Sequence, residues 1–175
     1  MRTAYLKLAD LKVHSQVIET VKFDRSAIPP ERETLLTPVK DAASSARNLD
    51  DVFEALCVMA SSTFEHDGYH IPMVLMYDDN LRAVDMMSAH FGDRVDKYIF
   101  WRTVADRIVV TKADFVVMIG EAWIRDMRNF TYAEGLGKLP IIGERLSVAA
   151  LDRLGVYRSK SWDVVRKKAG QTPSL

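Results

Sequence analysis

Cysteine is almost absent from this chain, which excludes two kinds of cross-link that stabilise small folds. Cys57 is the single cysteine among 175 residues. An intramolecular disulfide and a zinc cluster of several cysteines are therefore excluded. A free cysteine is usually a small buried hydrophobic residue, and we expect this of Cys57. Such cysteine usage is typical of a reducing compartment, so we predict a cytoplasmic protein.

An excess of charge of one sign and long hydrophobic runs are also absent. Lysine plus arginine and aspartate plus glutamate each number 24, so the net charge is zero. No overall field attracts nucleic acid or an anionic membrane, and we expect neither partner. No apolar stretch approaches the roughly 20 residues that span a bilayer, and the first residues lack the apolar segment of a secretory signal. We expect a soluble protein.

The composition predicts one globular domain. Hydrophobic residues make up 48% of the chain and charged residues 27%, and its 175 residues can bury a substantial core. Residues 1–47 combine apolar and proline-containing stretches without a clear pattern, and we interpret them as an N-terminal arm. Residues 48–170 form the predicted domain, and residues 171–175 a disordered tail. We find no internal repeat and no low-complexity tract.

Two helices are predicted from capping residues and apolar periodicity. Asn48 and Asp51 resemble a capping box at the start of the first helix, and Gly68 is a suitable end. Asp93 can cap the second helix, which extends to about Lys112. The apolar stripe of the first helix is Val52, Phe53, Leu56, Met59, Ala60 and Phe64. That of the second is Val95, Tyr98, Ile99, Trp101, Ala105, Ile108 and Val109.

Five strands are predicted, four of them in hairpins. Residues 71–77 and 81–87 flank the turn-forming Asp78, Asp79 and Asn80, and a second hairpin surrounds the turn at residues 152–155. Residues 115–124 form an apolar strand, and a long irregular loop follows at 125–140. We therefore predict an α+β fold, a mainly antiparallel sheet of about five strands with helices packed on one face.

Glu121 is the residue at which strand pattern and chemistry disagree. Alternation places it on the same face as Phe115, Val117, Ile119 and Trp123. A buried ionised carboxylate costs several kcal/mol, so Glu121 must be paired or have a raised pKa. We predict a ligand-binding site formed by Glu121, Trp123 and Arg125 at a cleft edge. The structural alternative is a salt bridge at the strand end.

A second candidate site lies at the end of the first helix. Glu65, His66, Asp67 and His70 form the densest group of metal-ligand residue types. Gly68 argues against a helix that continues through both histidines, so a polar helix end is the structural alternative. We expect no cofactor, and catalytic residues are unknown. A metal-dependent hydrolase using His66 and His70 with a nearby carboxylate remains an alternative function.

The aromatic residues of the second helix indicate an interface. Tyr98, Phe100 and Trp101 are more than one helix face can hide, because Phe100 and Trp101 point about 100° apart. Exposed tryptophan and tyrosine are enriched at the energetic centres of association. We therefore predict a homodimer, or a contact with another protein.

The residues from Leu49 to Val165 carry a resemblance to known proteins. Glu121-Ala122-Trp123 ends one strand and Gly143-Glu144-Arg145-Leu146 opens another. This pattern resembles a group of uncharacterised small prokaryotic or phage α/β proteins, a resemblance that implies no activity. The element order is also similar to that of roadblock-like and profilin-like domains, which serve in scaffolding or dimerisation. This is a similarity of topology, and function does not follow from fold. The leading hypothesis is a non-enzymatic interaction or small-ligand-binding module.

Overall fold

The computed structural model describes residues 37, 44–89, 91, 94–128, 138–166 and 173–175, with Arg94 described by its backbone alone. Most of the predicted N-terminal arm lies outside these residues. The predicted cap Asp93 and the middle of the predicted loop at 125–140 also lie outside them.

The described chain forms two helices and one antiparallel sheet of five strands. Their bounds are α1 (Leu49–Asp67), β1 (Met73–Tyr77), β2 (Ala83–Ser88), α2 (Arg94–Thr111), β3 (Phe115–Arg125), β4 (Ile141–Asp152) and β5 (Tyr157–Asp163). The strand order is β2-β1-β3-β4-β5, and each neighbouring pair is antiparallel. The predicted α+β class is confirmed.

Helix α1 begins and ends at the predicted residues. The side chain of Asn48 accepts the backbone N–H of Asp51 at 2.9 Å, and the Asp51 carboxylate accepts the N–H of Arg47 at 2.8 Å. The first bond satisfies an amide group that the first turn leaves without a helical partner, and the second holds the residue before the cap. Gly68 adopts the left-handed conformation with a φ of 77°, and its N–H donates to the carbonyl of Phe64.

Both predicted hairpins are confirmed, and each is closed by an aspartate. Asp78 accepts the N–H groups of Asn80 and Arg82 in the turn between β1 and β2. Asp152 does the same for Leu154 and Val156 in the turn between β4 and β5. A carboxylate that binds backbone amides holds a tight turn without help from a neighbouring element.

The main core lies between α1 and one face of the sheet, called the first face below. Alternate residues of the central strands are buried there, namely Phe115, Val117, Ile119, Leu146, Val148 and Ala150. Cys57 is buried in the same core, as predicted. Burial raises the pKa of its thiol to about 11, so the thiol stays protonated at neutral pH.

Helix α2 packs on the opposite face, called the second face, so the prediction of helices on one face was wrong. Val104 of α2 packs against Val74 and Met76, which alternate with the first-face residue Leu75. The guanidinium of Arg107 on α2 also pairs with Asp85 of β2. The physical reason is that the central strands are apolar on both faces, so each face requires cover.

The predicted apolar stripe of α2 was also wrong in part. The buried side consists of Val104 with the partly buried Phe100 and Ile108. Several members of the predicted stripe are exposed, namely Val95, Tyr98, Ile99, Trp101 and Val109. Apolar residues surround most of this helix, so periodicity alone does not select the face that meets the sheet.

The last two residues contact the domain. Ser174 forms an isolated antiparallel bridge with Val165, and Leu175 packs against the main core. Ser174 and Leu175, which belong to the predicted tail, therefore contact the domain; the disordered tail itself stays a prediction. Among the described residues, no helix is both long enough and apolar enough to cross a membrane.

Candidate functional site

Glu121 lies on the first face of β3, two residues beyond the buried Ile119. It accepts the backbone N–H of His70, the second residue after the glycine that ends α1. Its other carboxylate oxygen pairs with Nη2 of Arg166 at 3.3 Å. The acid thus sits where the cover provided by α1 stops, partly buried and with two partners.

Arg166 connects three parts of the fold around Glu121. Its Nε donates to Oε2 of Glu144 at 2.7 Å, and its Nη2 to the other oxygen of the same carboxylate. Its Nη1 donates to the carbonyl of Gly68 at 3.0 Å, and the guanidinium lies 5.8 Å from the Phe64 ring centroid. We call Glu121, Glu144 and Arg166 the carboxylate cluster. It joins β3, β4 and the C-terminal end of α1.

The two carboxyl groups of the cluster differ in acidity. Burial raises the pKa of Glu121, and the neighbouring Glu144 raises it further, whereas the His70 N–H and Arg166 oppose this shift. The hydrogen bond from Arg166 lowers the pKa of Glu144. Glu121 therefore holds a proton more readily than Glu144 does in the folded protein.

Trp123 and Arg125 occupy the same end of β3 but have different surroundings. Trp123 is largely exposed, and the Arg125 guanidinium lies 6.0 Å from its ring centroid. Nη1 of Arg125 also donates to the carbonyl of Leu139 at 2.6 Å. The described cation that pairs with Glu121 is Arg166, which is 45 residues away in the sequence. This pairing supports the salt-bridge alternative for Glu121.

An open concavity of about 700 Å³ lies beside the carboxylate cluster. It brings together two of the predicted site residues, Glu121 and Trp123. The other lining residues are Pro72, Ala89, Phe91, Glu144 and Arg166. The site is therefore accessible from solvent even though its acid has partners.

The two histidines of the predicted metal alternative have separate surroundings. Nδ1 of His66 lies 2.7 Å from a carboxylate oxygen of Asp67. His70 is buried with its Nδ1 bonded to the carbonyl of Ile71, and burial lowers its pKa, so the ring is neutral at pH 7. Within the described ranges, no group of three or more His, Cys, Asp or Glu could hold a metal ion. The hydrolase alternative gains no support from these contacts.

A second concavity, which the sequence did not reveal, lies on the second face. It measures about 540 Å³ and separates α2 from the part of the sheet that α2 leaves uncovered. Helix α2 contributes Trp101, Val104, Ala105 and Ile108. The sheet contributes Val116, Met118, Ala149, Leu151 and Tyr157. We call this site the apolar groove.

In the described part of the chain, the second face is uncovered from the apolar groove across β4 and β5. Strand register places Ser147, Ala149 and Leu151 opposite Ser161, Ser159 and Tyr157. We call these six residues the open half of the sheet. The sequence contained one signal for it, since Ala149 and Leu151 alternate with the buried Val148 and Ala150. Nothing local in the sequence indicated that α2 stops short of these strands.

A family match and a similar phage protein both extend over nearly the whole chain. The family described as Bacteriophage lambda protein ea47 matches residues 1–172. The chain is similar to Protein ea47 of Escherichia phage lambda, with 32% identity over 174 residues. The match covers 99% of this chain but 42% of the relative, so the chain spans less than half of the relative's length. No solved structure matches. The resemblance to phage proteins is confirmed, and the roadblock-like and profilin-like analogy stays a prediction.

Proposed function

The chain belongs to the bacteriophage lambda protein ea47 family, and from this premise we propose that its domain is a non-enzymatic interaction module. The observation that carries the proposal is the apolar groove. A concavity of about 540 Å³ lies between a helix and the sheet, and its lining is mainly apolar but includes the charged residues Asp114, Asp152 and Arg153. Contiguous apolar surface of this kind marks binding sites in soluble proteins.

The large side chains around the apolar groove are partly exposed. Leu151 is 51% exposed and Tyr157 is 64% exposed. Full burial of an exposed apolar side chain contributes about 1.5–3 kcal/mol, so completing the burial of these partly covered side chains contributes roughly half of that each. An occupant that covered several of them would gain enough free energy for specific binding, even after the loss of translational freedom.

The carboxylate cluster supports the same choice of a non-enzymatic role. Glu121 accepts the His70 N–H and pairs with Arg166, while Arg166 also binds Glu144 and the carbonyl of Gly68, the residue directly after α1. These bonds hold a helix end on two strands. Glu121, the acid that interrupts the apolar pattern of β3, thus helps to hold the end of α1 on the sheet.

A dye-binding experiment tests whether the apolar groove accepts an occupant. The neutral dye Nile red should bind the native chain, and its emission should increase on binding. The protein is diluted in series, because dilution releases any occupant already present in the groove. The substitution Leu151→Asp places a charge in the groove and should weaken dye binding about tenfold or more, which corresponds to about 1.4 kcal/mol. The matched control is Leu154→Asp, at a turn residue that is 85% exposed and outside the groove.

The control should bind the dye as the native chain does. Absence of dye binding at every dilution would contradict the proposal. Equal binding by the two variants would contradict it as well, because the dye would then be bound elsewhere.

Small-ligand binding at Glu121, Trp123 and Arg125 is a second candidate, supported by the open concavity beside Glu121. The exposed indole offers an apolar wall and the two carboxylates favour a cation, so n-butylammonium is a suitable probe. The probe should shift the NMR signal of the Trp123 indole N–H in a saturable way. A linear response, or the same response after Glu144→Gln, would contradict this candidate.

A further inference from the structure

We infer that the occupant of the apolar groove is a second copy of this chain, in an inference that rests on the proposed function. In the proposed arrangement each copy places its α2 on the open half of the partner's sheet. The two α2 helices then lie side by side between two sheets. The contact is the same on both copies, as two-fold symmetry requires.

The composition of α2 is the first support for this arrangement. Phe100, Val104 and Ile108 already face the helix's own sheet. The opposite, outward side carries further apolar residues that are exposed, namely Val95, Tyr98, Ile99, Val109 and Val110. A helix that is apolar on opposite sides is typical of one buried on both sides. Within the part of the chain that the structure describes, only one side of α2 is covered, and a second sheet would cover the other.

The shape of the second face is the next support. Among the described residues, helix α2 covers β1 and β2 and no element covers this face of β4 and β5. One half of the face is therefore raised by a helix and the other half is low. A two-fold rotation brings the raised half of one copy onto the low half of the other. The small side chains of Ala149 and the serines on β4 and β5 allow a helix to approach the strands closely.

The charges around this surface favour a second copy over a strongly charged partner. Arg153 pairs with Asp114 at 3.1 Å at the groove, and Arg145 pairs with Asp163 at 2.6 Å near the far end of the open half. The chain as a whole has zero net charge. Two copies can therefore approach without long-range repulsion, whereas a very acidic or basic partner would find no complementary field.

Two polar residues on the outward side of α2 are compatible with this contact. Arg102 and Asp106 are one helical turn apart and have opposite charges, so they can pair along the helix. Ser147, Ser159 and Ser161 of the partner's open half offer hydroxyl groups to them. A mainly apolar contact with a few paired polar groups is typical of homodimer interfaces.

Sedimentation equilibrium tests the inference. The native chain should sediment with twice its mass of 19.8 kDa. Leu151→Asp in the groove and Val110→Asp on the outward side of α2 should each raise the dimer dissociation constant at least tenfold. Leu154→Asp should leave it within about twofold, because Leu154 lies at the turn. Circular dichroism verifies that each variant folds. If Leu151→Asp does not fold, Val110→Asp is used to test the inference.

The outcomes separate this inference from the function on which it rests. The native chain could be monomeric up to about 100 µM, which is far above the Kd of a specific dimer, and still bind Nile red. That result would contradict the inference that a second copy fills the groove, but it would agree with the proposed interaction module. A monomer that does not bind the dye overturns both. A dimer that dissociates equally in all three variants overturns the assigned surface.

Discussion

At the scale of single residues, Glu121 and Glu144 illustrate how two identical acids acquire opposite behaviour. Glu121 lies where α1 ends, and burial raises its pKa. Glu144 receives two hydrogen bonds from Arg166, which lower its pKa. Because the folded state binds the Glu121 proton more tightly than the unfolded state does, that residue's contribution to stability falls as the pH rises through its raised pKa.

Substitution of each acid should therefore change stability with opposite pH trends. Glu121→Gln keeps an acceptor for the His70 N–H and removes the ionisation. Relative to the native chain, this variant should gain stability as the pH rises above the ordinary glutamate range. Urea unfolding followed at several pH values measures this gain, and a variant that loses stability over the same interval would contradict the assignment.

Glu144→Gln should show the reverse trend. The ionised Glu144 stabilises the fold above its unfolded pKa, and this stabilisation is lost as the pH falls through the lowered folded pKa. Loss of the charge-assisted bonds to Arg166 should cost about 1–2 kcal/mol at neutral pH, allowing for partial solvent screening. The deficit should shrink in acid. A deficit that is constant across the pH range would show that the Arg166 pair does not depend on ionisation.

The sequence identified Glu121 but not the residues that complete its cluster. An acid that interrupts an alternating apolar strand is a local signal, visible within ten residues. Arg166 lies 45 residues away, and its contact depends on where the chain runs after β5. Glu144 joins through the register that places it opposite Trp123. Neither the path after β5 nor the strand register can be derived from local pattern.

At the scale of elements, α1 depends on its cap. Asn48→Ala removes the acceptor of the Asp51 N–H and should lower the free energy of unfolding by about 1 kcal/mol. Asn48→Asp is the matched control and should retain most of the stability, since aspartate is an equally good cap. Thermal or urea unfolding gives the comparison. Equal losses in both variants would indicate that the asparagine amide has another task.

The elements that sequence predicted well are those with local signals at both ends. Asn48 and Gly68 bound α1, and aspartates close both hairpins. Helix α2 was predicted in extent but not in orientation, because its apolar residues surround most of its circumference. Which side meets the sheet depends on the apolar second face of the central strands and on the Arg107 pair with Asp85. Both are tertiary contacts, which the local sequence pattern does not indicate.

At the scale of the whole molecule, the two faces of the sheet differ in how far they are covered. The first face is covered by α1 across the central strands. Among the residues with a described position, the second face is covered over β1 and β2 and left uncovered over β4 and β5, with the apolar groove at the boundary. A second copy would cover the open half and the outward side of α2 together, which explains both features with one contact.

Site-specific photo-crosslinking tests this claim most directly. With p-benzoylphenylalanine in place of Tyr157, at the edge of the groove, irradiation should give a covalent dimer joined to α2 of the other copy. The control places the same group at Tyr69, which is 52% exposed and outside the groove, and should leave the chain monomeric on denaturing gels. No crosslinked dimer from position 157, or equal yields from both positions, would contradict the account.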